Sequence, residues 1–232
     1  MATFNGAHFV ERQVATILAQ LAPEDELVVS DDSSADDTVA IVRAFADPRI
    51  RILDGNAFSS PLRNFEHAIR HARGDTIVLA DQDDVWLDNK LPLVRDLFAG
   101  EARRPYLVVL DAEIVDEGEH LLEPSVLAKL HAGPGLLKNL WTNRYLGCCM
   151  AFSRDLLDVA FPFPEGVGMH DIWLGQLCER IGTTAFVPVV TMRYRRHPGT
   201  ATGFGIRYEP LRQIARRGHL AWGLLTRPRR SR

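Results

Sequence analysis

Between Ala7 and Leu21 the apolar residues Val10, Val14, Ile17, Leu18 and Leu21 recur at the spacing that lines one face of a helix, and Leu27-Val28-Val29 then forms a short apolar run typical of a buried strand. The alternation repeats. Asp36 to Ala46 reads as helix, Arg51-Ile52-Leu53 as strand, Pro61 to Arg73 as helix with Gly74 as its C-terminal stop, and Thr76-Ile77-Val78-Leu79 as a buried strand. Lys90 to Phe98 supplies another helix and Tyr106 to Leu110 another strand. Strands alternating with helices predict an α/β fold with a mostly parallel sheet covered by helices. Beyond Asp111 the rhythm weakens. Short helices broken by glycine and proline fill Glu123 to Leu140, Gly147 to Phe152 is strand-like, and Asp171 to Ile181 is helical.

With 232 residues, 46% of them hydrophobic, the chain carries enough apolar material for one sizeable core. A net charge of −3 supplies no general cationic field, which excludes nucleic acid as the main partner. The end of the chain departs from this balance. Arg212, Arg216, Arg217, Arg227, Arg229, Arg230 and Arg232 are interleaved there with Leu220, Trp222, Leu224 and Leu225. Two readings stand for this 209–232 tail: a basic, partly amphipathic segment resting on anionic lipid, or a solvated, frayed terminus. No run approaches the ~20 apolar residues that span a bilayer, and no charged-then-apolar leader opens the chain, so a cytoplasmic location is expected, peripheral at the inner face of the cell membrane if the tail binds lipid. Cys148, Cys149 and Cys178 fit neither a disulfide framework nor a zinc pattern and are read as packing residues.

The chemistry lies in the acids. Open α/β sheets bind ligands at the carboxyl ends of their strands. Asp31 and Asp32 follow one predicted strand, and Asp81, Gln82, Asp83 and Asp84 follow another. Negative charge crowded at neighbouring strand tips is costly unless a cation or hydrogen-bond donors balance it. Mg²⁺ or Mn²⁺, which takes one or two carboxylates together with substrate phosphate oxygens, suits such a site. The competing reading is a set of Asx-rich turns capping the helices that follow.

The order of the motifs carries a resemblance. Thr3-Phe4-Asn5-Gly6, Ser30 to Thr38, and Gly74 to Trp86 with its Asp-Gln-Asp-Asp-Val-Trp core resemble the family 2 glycosyltransferases of the GT-A fold. That core is similar to the bacterial rhamnosyltransferase-type branch. The likeness continues through Gly147 to Phe152, Met169 to Leu174 and Tyr194 to His197, covering Met1 to about Gly203. It implies an inverting transfer of a sugar, rhamnose from dTDP-rhamnose in that branch, from a nucleotide diphosphate to a glycan or lipid-linked glycan acceptor during surface polysaccharide synthesis. It also implies a single GT-A domain over 1–208, with a nucleotide-sugar-binding half (1–112) and an acceptor-binding half (113–208).

Position by position, the resemblance implies that Asp32 contacts the nucleobase, that Thr3 and Asn5 lie near the nucleotide, and that Asp81 lies nearer the ribose. It further implies that Asp83 ligates the metal, that His197 returns to the metal or diphosphate, and that Asp171 is the catalytic base. The chemistry itself needs one carboxylate to accept the acceptor hydroxyl's proton and a stabilised diphosphate on the opposite face. Asp171, at the start of a predicted helix, is equally explained as a carboxylate favoured by the helix dipole. Arg63 and Asn64 are candidates for holding the donor, with a solvent-facing helix surface the alternative for Arg63. His170 and Trp173 are candidates for the acceptor, with Trp173 equally explained as core. Members of the family begin with a buried strand ahead of the Thr-Phe-Asn segment, and no apolar run precedes Asn5 here, so the first strand is expected to be lacking. That expectation keeps a non-catalytic, degenerate sugar-nucleotide-binding module as the alternative. A nucleotidyltransferase is disfavoured because the Gly-rich phosphate loop is missing near the N-terminus.

Overall fold

A computed structural model describes residues 1–101, 105–197 and 210–228 of the protein, the side chains of 210–212 excepted. In chain order its elements are β1 (Ala2–Thr3), α1 (Val10–Leu18), β2 (Leu27–Asp31), α2 (Thr38–Ala44), β3 (Ile50–Leu53), α3 (Pro61–His71), β4 (Thr76–Val78), β5 (Val85–Trp86) and α4 (Lys90–Gly100). There follow β6 (Tyr106–Val115), β7 (Leu121–Glu123), α5 (Val126–Leu130), α6 (Leu136–Trp141), β8 (Met150–Ser153), α7 (Leu157–Ala160), α8 (His170–Ile181), β9 (Thr183–Arg195) and α9 (Pro210–Thr226). Local sequence explains the helix starts. Ser60 caps α3 by accepting from the Arg63 amide, and Pro61 fills the first helical position, where a missing N–H costs nothing. Along α1, Val10, Val14 and Ile17 form the buried stripe that their spacing predicts.

The strands form two sheets. β1, β2 and β3 are all parallel, with Ala2 opposite Ser30 and Leu27 opposite Ile50. The second sheet runs β4-β8-β6-β9-β5, with β7 on β6, and is mixed: its β6–β9 pairing is parallel, while the others are antiparallel. The mostly parallel expectation therefore holds for the first sheet and not for the second. Parallel neighbours need a crossover of about a dozen residues, and the short link between β6 and β7 leaves no room for one, so that pair is antiparallel.

The expectation of a lacking first strand is corrected in part. A strand is present as β1, but it is two residues long. The Met1 ammonium donates to the Val28 carbonyl at 2.7 Å, and its burial pushes it down to about 5. Beside it, between Leu27-Val28 of β2 and Ile77-Val78 of β4, lies a cavity of about 580 Å³ walled by α1, α3 and α4. The two sheets are thus separated at this level by a seam with no strand in it. One continuous core nevertheless reaches from Val29 through Phe65 and Leu107 to Trp173.

The segment read as a basic tail is helix over most of its length. Leu220 and Leu224 of α9 are buried, and Gly223 approaches Pro164 and Trp173 closely. The 208/209 boundary, the Arg212 side chain, Arg229, Arg230 and Arg232 lie outside the described residues. Among the described residues no helix is long and apolar enough to cross a membrane.

Candidate active site

The loops that follow β1, β2 and β4 are stitched to one another. Gln82 forms a reciprocal pair with Phe4, its Oε1 accepting from the Phe4 amide and its Nε2 donating to the Phe4 carbonyl, both at 2.9 Å. The Gly6 amide donates to Thr38 Oγ1 at 2.8 Å, and Gln13 Nε2 donates to the Asp81 carbonyl at 3.0 Å. Thr3 donates its hydroxyl to Asp31 Oδ1 at 2.7 Å, and Asn64 Nδ2 donates to the Thr3 carbonyl at 3.0 Å. Asn5 takes a left-handed φ of 48°, a conformation Asn tolerates, and its Oδ1 accepts from the Ala35 amide at 2.8 Å. Asp32 accepts from the amides of Phe58, Ser59 and Ser60, so its carboxylate holds that loop against the end of β2. Thr3, Asn5, Asp32 and Asn64 are therefore gathered at one end of the first sheet.

The Arg63 guanidinium pairs with Glu66 one turn along α3, and Glu66 also takes Arg70 and the Phe163 amide, the ion pairing of a helix face.

The acids after β4 differ in depth. Asp83 Oδ2 lies 2.9 Å from His197 Nε2, and both side chains keep some exposure, 14% and 13%. Asp84 is 1% exposed, and its Oδ2 has no hydrogen-bond partner. Burial, reinforced by Asp83 and Asp81, pushes the Asp84 carboxyl well above the usual range. Asp81 is raised to about 7, first by burial and then by the charges of Asp83 and Asp171. Asp81 thus feels Asp83 and Asp171 together. These acids also meet Cys148, whose sulfur lies within 4.8 Å of ligand atoms on Asp81 and Asp84.

Two buried cations brace the cluster. Lys90, fully buried, donates to the Cys148 carbonyl at 2.7 Å and stands over the Trp86 ring at 4.4 Å; burial lowers its pKa, while Asp84 and Asp81 act against that. Arg195, 5% exposed, donates to the Asp83 carbonyl at 2.9 Å and to the Glu117 carbonyl at 2.6 Å, and its amide donates to Asp84 Oδ1. Arg196 instead lies 5.7 Å from the Tyr194 ring. Sequence reading missed Lys90, and it placed Asp84 and Gln82 in the acidic cluster without giving either a role of its own. Lys90 looks like any polar start of a helix, whereas the Asp-Gln-Asp-Asp run already held the other two.

A hard dication fits these acids. A half-buried Asp81 and a buried Asp84 driven toward their neutral forms, the latter with an oxygen that meets no partner among the described residues, are short of positive charge. A cation that must also meet a diphosphate belongs on the open side, where Asp83 and His197 lie, rather than behind Asp84 and the Cys148 thiol.

Asp171 opens α8 and is 6% exposed; burial raises its carboxyl to about 6. Asn143 Nδ2 donates to its Oδ2 at 3.1 Å, and the Ile172 amide donates to its Oδ1 at 2.6 Å. The acceptor expectations for its neighbours are corrected. Trp173 is fully buried, with its indole N–H donating to the Ala160 carbonyl, so no sugar reaches its ring. His170 is 3% exposed and stacked on Phe65 at 3.9 Å, and its burial drives it down to about 3. Helical spacing turned both side chains inward.

The fold is of the GT-A type. The chain belongs to glycosyl transferase family 2, whose family model matches residues 1–161. It is 32% identical over 93 residues to the UDP-Glc:alpha-D-GlcNAc-diphosphoundecaprenol beta-1,3-glucosyltransferase WfgD of Escherichia coli, covering 40% of this chain and 37% of that one. It is 34% identical over 98 residues to the dTDP-rhamnosyl transferase RfbG of Shigella flexneri, covering 39% and 34%. The matched stretch thus spans little more than a third of these relatives. Among solved structures, the mannosyltransferase PcManGT from Pyrobaculum calidifontis in complex with GDP-Man and Mn²⁺ shares the fold, with a TM-score of 0.61 and 21% identity over 96% of this chain and 61% of that one.

Proposed function

We propose that this chain is a metal-dependent, inverting glycosyltransferase that moves a sugar from a nucleotide diphosphate to a lipid-linked glycan in surface polysaccharide synthesis. One observation carries the reading. Asp171, with its carboxyl raised to about 6, exerts its charge on Asp81, which also feels Asp83, so a proton acceptor and a cation-seeking cluster share one region.

Thr3, Asn5, Asp32 and Asn64 frame the nucleotide, with Asp81 nearer its ribose. Asp83 and His197 would hold Mg²⁺ or Mn²⁺, which would supply Lewis-acid stabilisation for the leaving diphosphate. Asp171 takes the proton of the acceptor hydroxyl as that oxygen bonds the anomeric carbon and the bond to the diphosphate breaks. Asn143 and the Ile172 amide fix the carboxylate for this role. The similarity to RfbG and the Asp-Gln-Asp-Asp-Val-Trp run support dTDP-rhamnose as donor, and the lipid-linked acceptor named for WfgD supports the acceptor class. Cys148, Cys149 and Cys178 are buried free thiols, which supports the cytoplasm as the compartment.

A panel of nucleotide sugars with Mn²⁺ in a thermal-shift assay identifies the donor, because a native-state ligand raises apparent stability. Asp171→Asn is expected to lose about 10²- to 10⁴-fold in transfer while still binding nucleotide. In the wild type, activity is expected to climb with pH through about 6 as Asp171 deprotonates. Full transfer by Asp171→Asn would overturn the mechanism.

A further inference from the structure

Helix α9 is apolar on two sides. Inward, Leu220 and Leu224 are buried against the domain. Outward, Ile214, Trp222 and Leu225 are 61%, 69% and 76% exposed. At about 100° per residue these three share one stripe with Gly218, and no charged residue interrupts it. Helix α6 packs beside α9 and exposes Leu137 (83%) and Trp141 (71%). The two helices are joined there: the Arg217 guanidinium lies 4.7 Å from the Trp141 ring and donates to the Trp141 carbonyl.

Charge says what covers this face. Among the described side chains of α6 and α9 are Lys138, Arg216 and Arg217, and neither helix holds an Asp or Glu. A second copy docked here would bring the same arginines together, since a two-fold contact pairs a surface with itself. Aromatic and aliphatic side chains bordered by arginine instead match the headgroup layer of an anionic bilayer, where rings insert and guanidinium groups meet phosphates. We propose that α6 and α9 together form a membrane-docking face that lies flat on anionic phospholipid, with Trp141 and Trp222 as its inserted residues. The assignment goes beyond a mobile basic tail, because the apolar part is fixed on two packed helices.

The face has a place in the reaction proposed above. Trp141 lies two residues before Asn143, which donates to Asp171, so the face adjoins the segment that holds the proposed base. This purpose rests on that reaction, whereas the face itself does not.

The test is co-sedimentation of the full chain with phosphatidylcholine vesicles with and without about 30 mol% phosphatidylglycerol, at low salt. The wild type is expected to bind the anionic vesicles alone and to be released by salt. The Trp141→Ser/Trp222→Ser double variant is expected to bind at least about tenfold more weakly. Its nucleotide binding should be unchanged, and its unfolding temperature should fall no further than that of Arg217→Ala, which breaks the contact with the Trp141 ring but keeps both tryptophans. Independently of any variant, wild-type tryptophan fluorescence should be quenched by vesicles carrying brominated acyl chains. Failure of the wild type to bind anionic vesicles, undiminished binding by the double variant, or a dimer that the double variant dissociates would each overturn the proposal. None of these readouts requires transfer activity, so the docking face and the chemistry fail separately.

Discussion

The two ends of the parallel three-stranded sheet are built by different means. At the carboxyl ends the loops are tied by directional bonds: Gln82 to Phe4, Gly6 to Thr38, Asn64 to Thr3. At the other end β1 runs over Ala2–Thr3 only, the buried Met1 amine has Asp81 as its charged neighbour, and a hollow of about 580 Å³ lies beside it. The contrast teaches that order at the acidic site does not require a continuous sheet beneath it. Polar stitching holds the loops while hydrophobic filling, the usual source of stability, is deficient a few residues away.

Filling the seam gives the largest expected effect. Joining an extended Val/Ile-rich segment to the Met1 amine turns a buried charge into an amide and occupies the void. The gain is expected to be on the order of 3–5 kcal/mol in urea unfolding, with nucleotide affinity little changed. Equal stability with and without the segment would show that the seam is not the weak end. Next comes a cut in the stitching: a Cβ at Gly6 would overlap the Gln82 amide. Gly6→Ala is therefore expected to cost about 2 kcal/mol and to weaken nucleotide binding, the reverse pattern to the seam extension. Unimpaired nucleotide binding in Gly6→Ala would remove the claim that these bonds order the site.

The smallest effect concerns charge. Because the folded protein raises Asp81 to about 7 from an ordinary 3.8, ionising it disfavours folding, a penalty absent below about pH 4 and growing as pH rises to 7. Asp81→Asn should remove that pH dependence and stabilise the chain by about 1 kcal/mol at neutral pH, after allowance for its partial exposure, while lowering activity. Identical pH–stability curves for the two proteins would place the cost of the cluster elsewhere.

Much of this was legible in the residues. Helical and strand periodicity located α1, β2, α3, β4, α4 and α8, and the acidic runs located the end of the sheet where the site lies. The longest strand was not anticipated. In β9, Pro188 interrupts an otherwise strand-like sequence, and the structure absorbs it in a shift of register: Leu110 faces Val187, but Asp111 faces Val190. Burial was the other gap. Lys90 and Trp173 carry groups usually placed at surfaces, and only the packing of distant segments, Cys148 over one and Ala160 beside the other, decides that both are enclosed. Depth also separates Asp83 from Asp84, which no spacing in a four-residue run reveals.

The clasp between Gln82 and Phe4 works like a base pair, with one donor and one acceptor on each side. Phe4 is 56% exposed, yet its amide hydrogen is held by a side chain from the acidic loop. Its exchange with solvent deuterium is therefore governed by the opening of that loop rather than by the fraying of a short edge segment. One surface amide becomes a ligand-free gauge of how often the acidic turn lets go.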